Sequence, residues 1–258
     1  MNTIICLGML FLLVACDMEK YPEPEGNVLP EVLIYCDIAM LQPLKELATM
    51  IESAHNCQVV IISSNSDHLV RTIEINHQGD IFFPGCSSYL SPLLKAGIVT
   101  KMMAVGYNEA GFLVWPGNPK KIPAMFSSLV DPQYRIAIAS PMVGSIGRDT
   151  KRALEAANIY RNVVDNALFS ATDSQELTAA IINKELDLVV NWRSVKYLPG
   201  NSEKMEFLPF PPKHKFKHQL IMGKLLYSKH PKIAESLMEL AISKQGKGIF
   251  KKYGFGNY

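Results

Sequence analysis

Net charge is almost absent from this chain: 26 Lys and Arg stand against 24 Asp and Glu in 258 residues, a formal excess of +2. A surplus that small gives no electrostatic footing on nucleic acid or on an acidic membrane surface, so no nucleic-acid partner is expected and other partners must be inferred from sites. The most apolar stretch, "MNTIICLGMLFLLVA", is too short to cross a bilayer comfortably and gives way abruptly to polar sequence. Internal repeats and low-complexity tracts are missing as well. Spacings of known hydrolases are also absent: Cys86-Ser87-Ser88 offers a nucleophile and His55, His68 and His77 offer a base, but no motif joins them, so no enzyme is expected. His214 and His218 stand four apart in "KHKFKH", in a polar approach to a strand where that spacing need not chelate, so neither a metal nor another cofactor is expected. What is present is apolar content, 48% hydrophobic residues, enough to bury one large core or two modest ones without staples.

Residues 1–15 read as an export signal. The run Leu13-Val14-Ala15-Cys16 resembles the lipobox of bacterial lipoproteins, which implies cleavage before Cys16 and lipid attachment to it. Residues 16–30 are rich in Pro and acidic side chains and lack an apolar period, as a tether would be. The expected location is the cell membrane, lipid-anchored and facing away from the cytoplasm. Cys6 leaves with the signal, so Cys36, Cys57 and Cys86 remain, in a compartment that permits disulfides. Cys36 and Cys86 both fall where a strand ends, which leaves open a bridge between them or three buried thiols.

From residue 31 onward strand and helix alternate. "EVLIYC", "CQVVII" and "DIFF" are short runs of the kind buried parallel strands show, and between them Leu41, Leu44, Leu47, Ala48 and Ile51, then Leu69, Val70 and Ile73, fall on helical stripes. Another helix is expected over 88–95. Two longer strands follow in "KMMAVGY" and "AGFLVWP", and "GNPKKIP" breaks the pattern. The alternation restarts with a strand in "YRIAIAS", helices over 147–157 and 173–184, and a strand in "LDLVVNW". The tail "KHQLIMGKLLYS" reads as a strand returning to the first unit, followed by an amphipathic helix over 231–245. The expected fold class is α/β, in two lobes joined by two crossing segments with a cleft between them: 31–107 plus 213–258, and 108–212. A monomer is expected.

In open parallel sheets, ligands lie beyond the carboxyl ends of the strands, where helices begin and present free backbone N–H groups. Asp37 to Ala39, Ser64 to Ser66, Gly85 to Ser87 and Ser145 to Gly147 are such places. Each of these polar residues has an alternative role in capping its own helix.

The order and wording of "VLIYCDIAMLQPLKELA", "ISSNSDHLVRTIE", "GDIFFPGCSSYLSPLLKAGIV", "GNPKKI", "RIAIASPMVGSIGRDTKRALEAA", "LDLVVNW" and "ISKQGKGIFKKYGF" resemble the molybdate-binding proteins of bacterial ABC importers. The resemblance implies a type II periplasmic-binding-protein fold that closes like a hinged trap and delivers its ligand to a membrane permease. It also implies a ligand set. The family's first-helix serine falls at Ala39, which keeps a backbone N–H, and the second-helix serine is retained as Ser66. Two backbone donors map to Ile146 and to Asp173 or its neighbour Ser174, and the family's tyrosine falls at Trp192, or at Asn191 with a slip of one. Asp37 stands where the family has a small uncharged residue, and its carboxylate would repel a dianion by several kcal/mol in a dry cleft. Arg148 and Arg193 are placed to answer that charge or to pair with the ligand. The resemblance thus implies a molybdate-like or tungstate-like oxyanion. The altered side chains leave two alternatives, a different small organic anion or zwitterion, or a sensory lipoprotein without a transporter.

Overall fold

The computed structural model describes residues 29–214 and 216–257. The expected signal segment, Cys16 and all but the end of the tether lie outside these residues. In the first half β1 (Glu31–Asp37), α1 (Leu41–His55), β2 (Gln58–Ser64), α2 (Ser66–Asn76), β3 (Ile81–Phe83) and α3 (Leu90–Lys95) alternate in order. β1 lies between β2 and β3 and runs parallel to both. Its side chains alternate as a doubly covered strand requires. Val32, Ile34 and Cys36 enter one apolar cluster with Leu44 and Leu47 of α1, whereas Tyr35 enters another with Leu69 and Ile73 of α2.

β4 (Val99–Val114) then runs for 16 residues into the second half. There β5 (Ile136–Ala139), α4 (Ser145–Ala156), α5 (Tyr160–Asn166), β6 (Ala167–Ala171), α6 (Ser174–Ile182), β7 (Leu188–Trp192) and β8 (Glu206–Pro209) follow. The chain returns along β9 (Lys217–Leu225) and ends in α7 (Pro231–Ile242) and α8 (Lys244–Lys252). The strand order is β2-β1-β3-β9-β4-β7-β5-β6, with β8 added on β4.

Apolar packing divides this ladder into two lobes. One cluster is built from residues between Ala110 and Phe210, and the other two from residues at or before Val105 and at or after Leu220. Hydrogen bonding does not divide. The two strands expected at "KMMAVGY" and "AGFLVWP" are one strand, because β4 pairs β9 along its first part and β7 and β8 along its second. Asn108 and Glu109, polar residues that look like a break in the sequence, stay in register with His218 and Lys217 of β9. The lobes are therefore joined by paired strands at residues 107–110 and 216–218 as well as by loops.

One open alternative is decided and one further expectation is corrected. Cys36, Cys57 and Cys86 are all buried free thiols, so no Cys36–Cys86 bridge forms. The helix expected over 231–245 stops at Ile242 because the hydroxyl of Ser243 accepts the Gly246 N–H at 3.1 Å and starts α8 as a new helix. Among the described residues no helix is long and apolar enough to cross a membrane.

Candidate functional site

The end of β1 turns at Asp37, and its carboxylate folds back onto the donors around it. Oδ1 accepts the Ala39 N–H at 3.1 Å, and Oδ2 accepts the Ser66 hydroxyl at 2.6 Å. Ser66 Oγ in turn accepts the Gly85 N–H at 3.0 Å, and the backbone N–H groups of Ser66 and Gly85 also reach the carboxylate. A methyl group on Gly85 would come within 2.9 Å of Asp37 Cγ, so glycine alone lets the loop after β3 approach this closely. Asp37, Ala39, Ser66 and Gly85 are thus brought together, as the sequence implies, but with an internal carboxylate on donors suited to a bound anion. Burial pushes the Asp37 carboxyl above the usual range, and the hydrogen bonds from Ser66, Ala39 and Gly85 offset only part of that.

Across the molecule, α4 starts against the end of β5. A methyl on Gly147 would lie 2.1 Å from the Ser140 carbonyl oxygen, so the first turn of α4 rests directly on backbone. Ile146 is buried there, while Arg148 is exposed and lines the cleft. The other expected residues of this lobe serve their own elements. Asp173 caps α6 by accepting the N–H groups of Gln175 at 2.8 Å and Glu176 at 3.0 Å. Asn191 is fully buried, and its amide is spent. Oδ1 accepts from the Ser174 hydroxyl at 2.6 Å and the Trp192 N–H at 2.8 Å, and Nδ2 donates to the Ser174 carbonyl at 2.9 Å and Thr178 Oγ1 at 3.0 Å. Trp192 stands edge-on to Phe216 and His218, at ring separations of 6.0 and 5.0 Å. Arg193 does not turn to Asp37: it pairs with Glu109 at 3.9 Å and lies over the rings of Tyr197 and Phe207.

A cleft of about 640 Å³ opens between the lobes, walled by Cys86 to Ser88 and Leu90 from the first, Arg148, Asp149 and Arg152 of α4, and β9 around His218. His218 Nε2 bonds Asp149 Oδ2, and the imidazole also hydrogen-bonds Cys86. Burial alone would lower the His218 pKa, but the bonds to Asp149 and Cys86 outweigh it and raise it to about 9. Protonated His218, Arg148, Arg152 and Lys217 against one carboxylate, Asp149, make the cleft wall electropositive.

This architecture has relatives. A family model described as bacterial extracellular solute-binding protein matches residues 32–256. The chain belongs to that family. A Haemophilus influenzae chain described as a binding protein is 21% identical to this solute-binding protein over 225 residues, covering 87% of this chain and 90% of its own. Solved structures share the fold, two of them as follows. One is a Clostridium difficile substrate-binding domain assigned to a molybdenum ABC transporter, with a TM-score of 0.75, 16% identity, and 88% and 99% of the two chains covered. The other is PEB3 of Campylobacter jejuni with L-phospholactate bound, with a TM-score of 0.70, 18% identity, and 88% and 100% covered. Both place this solute-binding protein in the two-lobed periplasmic-binding fold, and the family consists of binding proteins rather than enzymes.

Sequence reading missed the centre of the cleft. It weighed a nucleophile within Cys86-Ser87-Ser88 against a base at His55, His68 or His77, and it weighed His218 only as a chelator. The imidazole beside Cys86 is that of His218, which β9 brings back towards the turn after β3, a juxtaposition that no local spacing shows.

Proposed function

We propose that this solute-binding protein captures a small organic anion, bearing a carboxylate or phosphate group, between Arg148 at the start of α4 and the Cys86–Ser88 turn, and hands it to an ABC permease. The observation that carries this reading is the electropositive cleft of about 640 Å³ that both lobes wall and Arg148 lines. Such a volume suits a molecule of several heavy atoms rather than a single tetrahedral ion. Arg148 is exposed, has no ion pair among the described residues, and its planar fork matches a carboxylate or phosphate. The phospholactate of PEB3, a phosphate and a carboxylate on one small skeleton, is a ligand of this class.

A second reading, a molybdate-like oxyanion held by the helix ends, is favoured by the donor set at Ala39, Ser66 and Gly85 and by the molybdenum assignment of the Clostridium difficile domain. It requires Asp37 to give up those donors. The segment 1–15 and Leu13-Val14-Ala15-Cys16 support export and lipid anchoring through Cys16.

A thermal-shift screen of phosphorylated and plain small carboxylates, molybdate, tungstate and sulfate tests both readings. A ligand at a hundred times its Kd adds about 2.7 kcal/mol of stability, which is readily seen. Arg148→Ala should weaken an organic anion about tenfold or more, through loss of a charge-assisted hydrogen bond. A shift with molybdate alone, unmoved by Arg148→Ala, would replace the first reading by the second.

A further inference from the structure

Capture of an anion uses the positive wall of the cleft and has no need of a thiol, yet a thiol stands in that wall with acid–base partners. Cys86 lies at the start of the turn after β3 and lines the cleft. Its Sγ is 3.1 Å from Ser88 Oγ, and it hydrogen-bonds His218, whose Nε2 is held by Asp149. The three groups come from three segments and both lobes. Asp149 is 8% exposed, so its charge acts on the imidazole through little water. Thiol, imidazole and carboxylate stand in the order that activates a nucleophile: the protonated imidazole stabilises the thiolate, and the carboxylate orients the ring and stabilises its charged form.

We propose that Cys86 is a covalent modification site, an activated thiol that exchanges with small anionic disulfides entering the cleft. The site is independent of which anion the protein transports. In the step, Cys86 has released its proton to solvent, the His218 imidazolium holds the resulting thiolate, and Sγ attacks one sulfur of the disulfide. The reagent's S–S bond breaks as the new Cys86–S bond forms, and the departing thiolate carries away the electron pair and takes any proton it needs from solvent. Arg148, Arg152 and Lys217 around the same cleft favour a disulfide that carries carboxylates. Burial opposes ionisation of Cys86, but the hydrogen bonds from His218 and Ser88 prevail and hold the thiol below its ordinary value. The chain carries its own controls. Cys36, fully buried in an apolar cluster, is pushed up to about 12 by burial, and Cys57 is raised by burial and by Glu52, with its Sγ facing the Ile51 carbonyl. The group left on Cys86 would stand in the cleft and compete with any ligand there.

The test treats the folded full chain with 5,5′-dithiobis(2-nitrobenzoic acid), a small disulfide with two carboxylates, and locates the adduct by peptide mass mapping. Cys86 should react at least tenfold faster than Cys36 or Cys57, with a rate midpoint in pH below that of a free cysteine. His218→Gln should slow it about tenfold or more and move the midpoint upward, and Asp149→Asn should act in the same direction. Faster reaction at Cys36 or Cys57, or a Cys86 midpoint no lower than that of free cysteine, overturns the proposal. So does an unchanged midpoint in a folded His218→Gln chain. Should neither variant fold, the pH profile of the unsubstituted chain decides by itself.

Discussion

Asn191 separates what holds the second lobe from what holds a ligand. Its buried amide makes four hydrogen bonds to Ser174, Thr178 and Trp192, tying β7 to α6. Asn191→Ala should therefore lower stability by about 2–4 kcal/mol, seen as an earlier urea midpoint, because it strands buried partners. Ligand affinity measured well below that midpoint should barely change. A large loss of affinity without loss of stability would mean that the amide turns into the cleft. Asp37 is the opposite case, a residue whose removal should add a function. Asp37→Gly frees the N–H groups of Ala39, Ser66 and Gly85 and the Ser66 hydroxyl from the carboxylate that fills them. Molybdate or sulfate should then bind at least about tenfold more tightly than to the unsubstituted protein by calorimetry. If neither anion gains, the donors around Asp37 serve only the turn itself.

Among the elements, α4 positions Arg148, the cation proposed to hold the ligand, and it depends on one missing side chain. Gly147→Ala would force a methyl against the Ser140 carbonyl oxygen, which lies 2.1 Å from where that carbon must go. Since the obstacle is backbone, α4 must shift as a unit, and Arg148 with it. A stability loss of about 2 kcal/mol or more, together with weaker ligand binding, is the expected result of denaturation and calorimetry on this variant. Unchanged values would show that the contact relaxes at little cost. Elements of this kind were legible from the sequence where periodicity and Val/Ile runs carried them, as in β1, β2, α1 and α2. α5, β6 and β8 were not, because "YRNVVDNALFSA" and "EFLP" are short and lack a clear period. The unity of β4 was hidden for another reason. Asn108 and Glu109 read as a break, yet pairing with β9 carries the ladder through them, a long-range effect that local propensity does not encode. The site divides the same way. The helix ends at Ala39, Ser66 and Ile146 followed from strand and helix order, whereas the meeting of Cys86, Asp149 and His218 depends on three segments distant in sequence.

At the scale of the whole molecule, one titrating contact bridges the two lobes at the cleft. His218 stands on the returning strand β9, and its imidazole faces Asp149 of the second lobe and Cys86 of the first, with Arg148, Arg152 and Lys217 around the same cleft. Its folded pKa of about 9 lies above the 6.5 of an ordinary histidine. The link therefore contributes fully below pH 6.5 and is lost as pH rises through about 9. The contribution is at most about 3 kcal/mol, and less where water reaches the ring. Cys86, held below its ordinary value, titrates in the opposite sense, so Cys86→Ser is the background in which to measure. In that background Asp149 alone still raises His218, and Tm should fall more as pH rises above 6.5 than it does when His218→Gln is added. Parallel Tm curves would mean that the imidazolium does not hold the lobes. If the cleft opens by rotation about β4 and β9 so that Asp149 leaves His218, loss of the contact eases opening. A steeper Tm curve would therefore also predict faster ligand release at alkaline pH, measurable by stopped flow with any ligand the thermal-shift screen identifies.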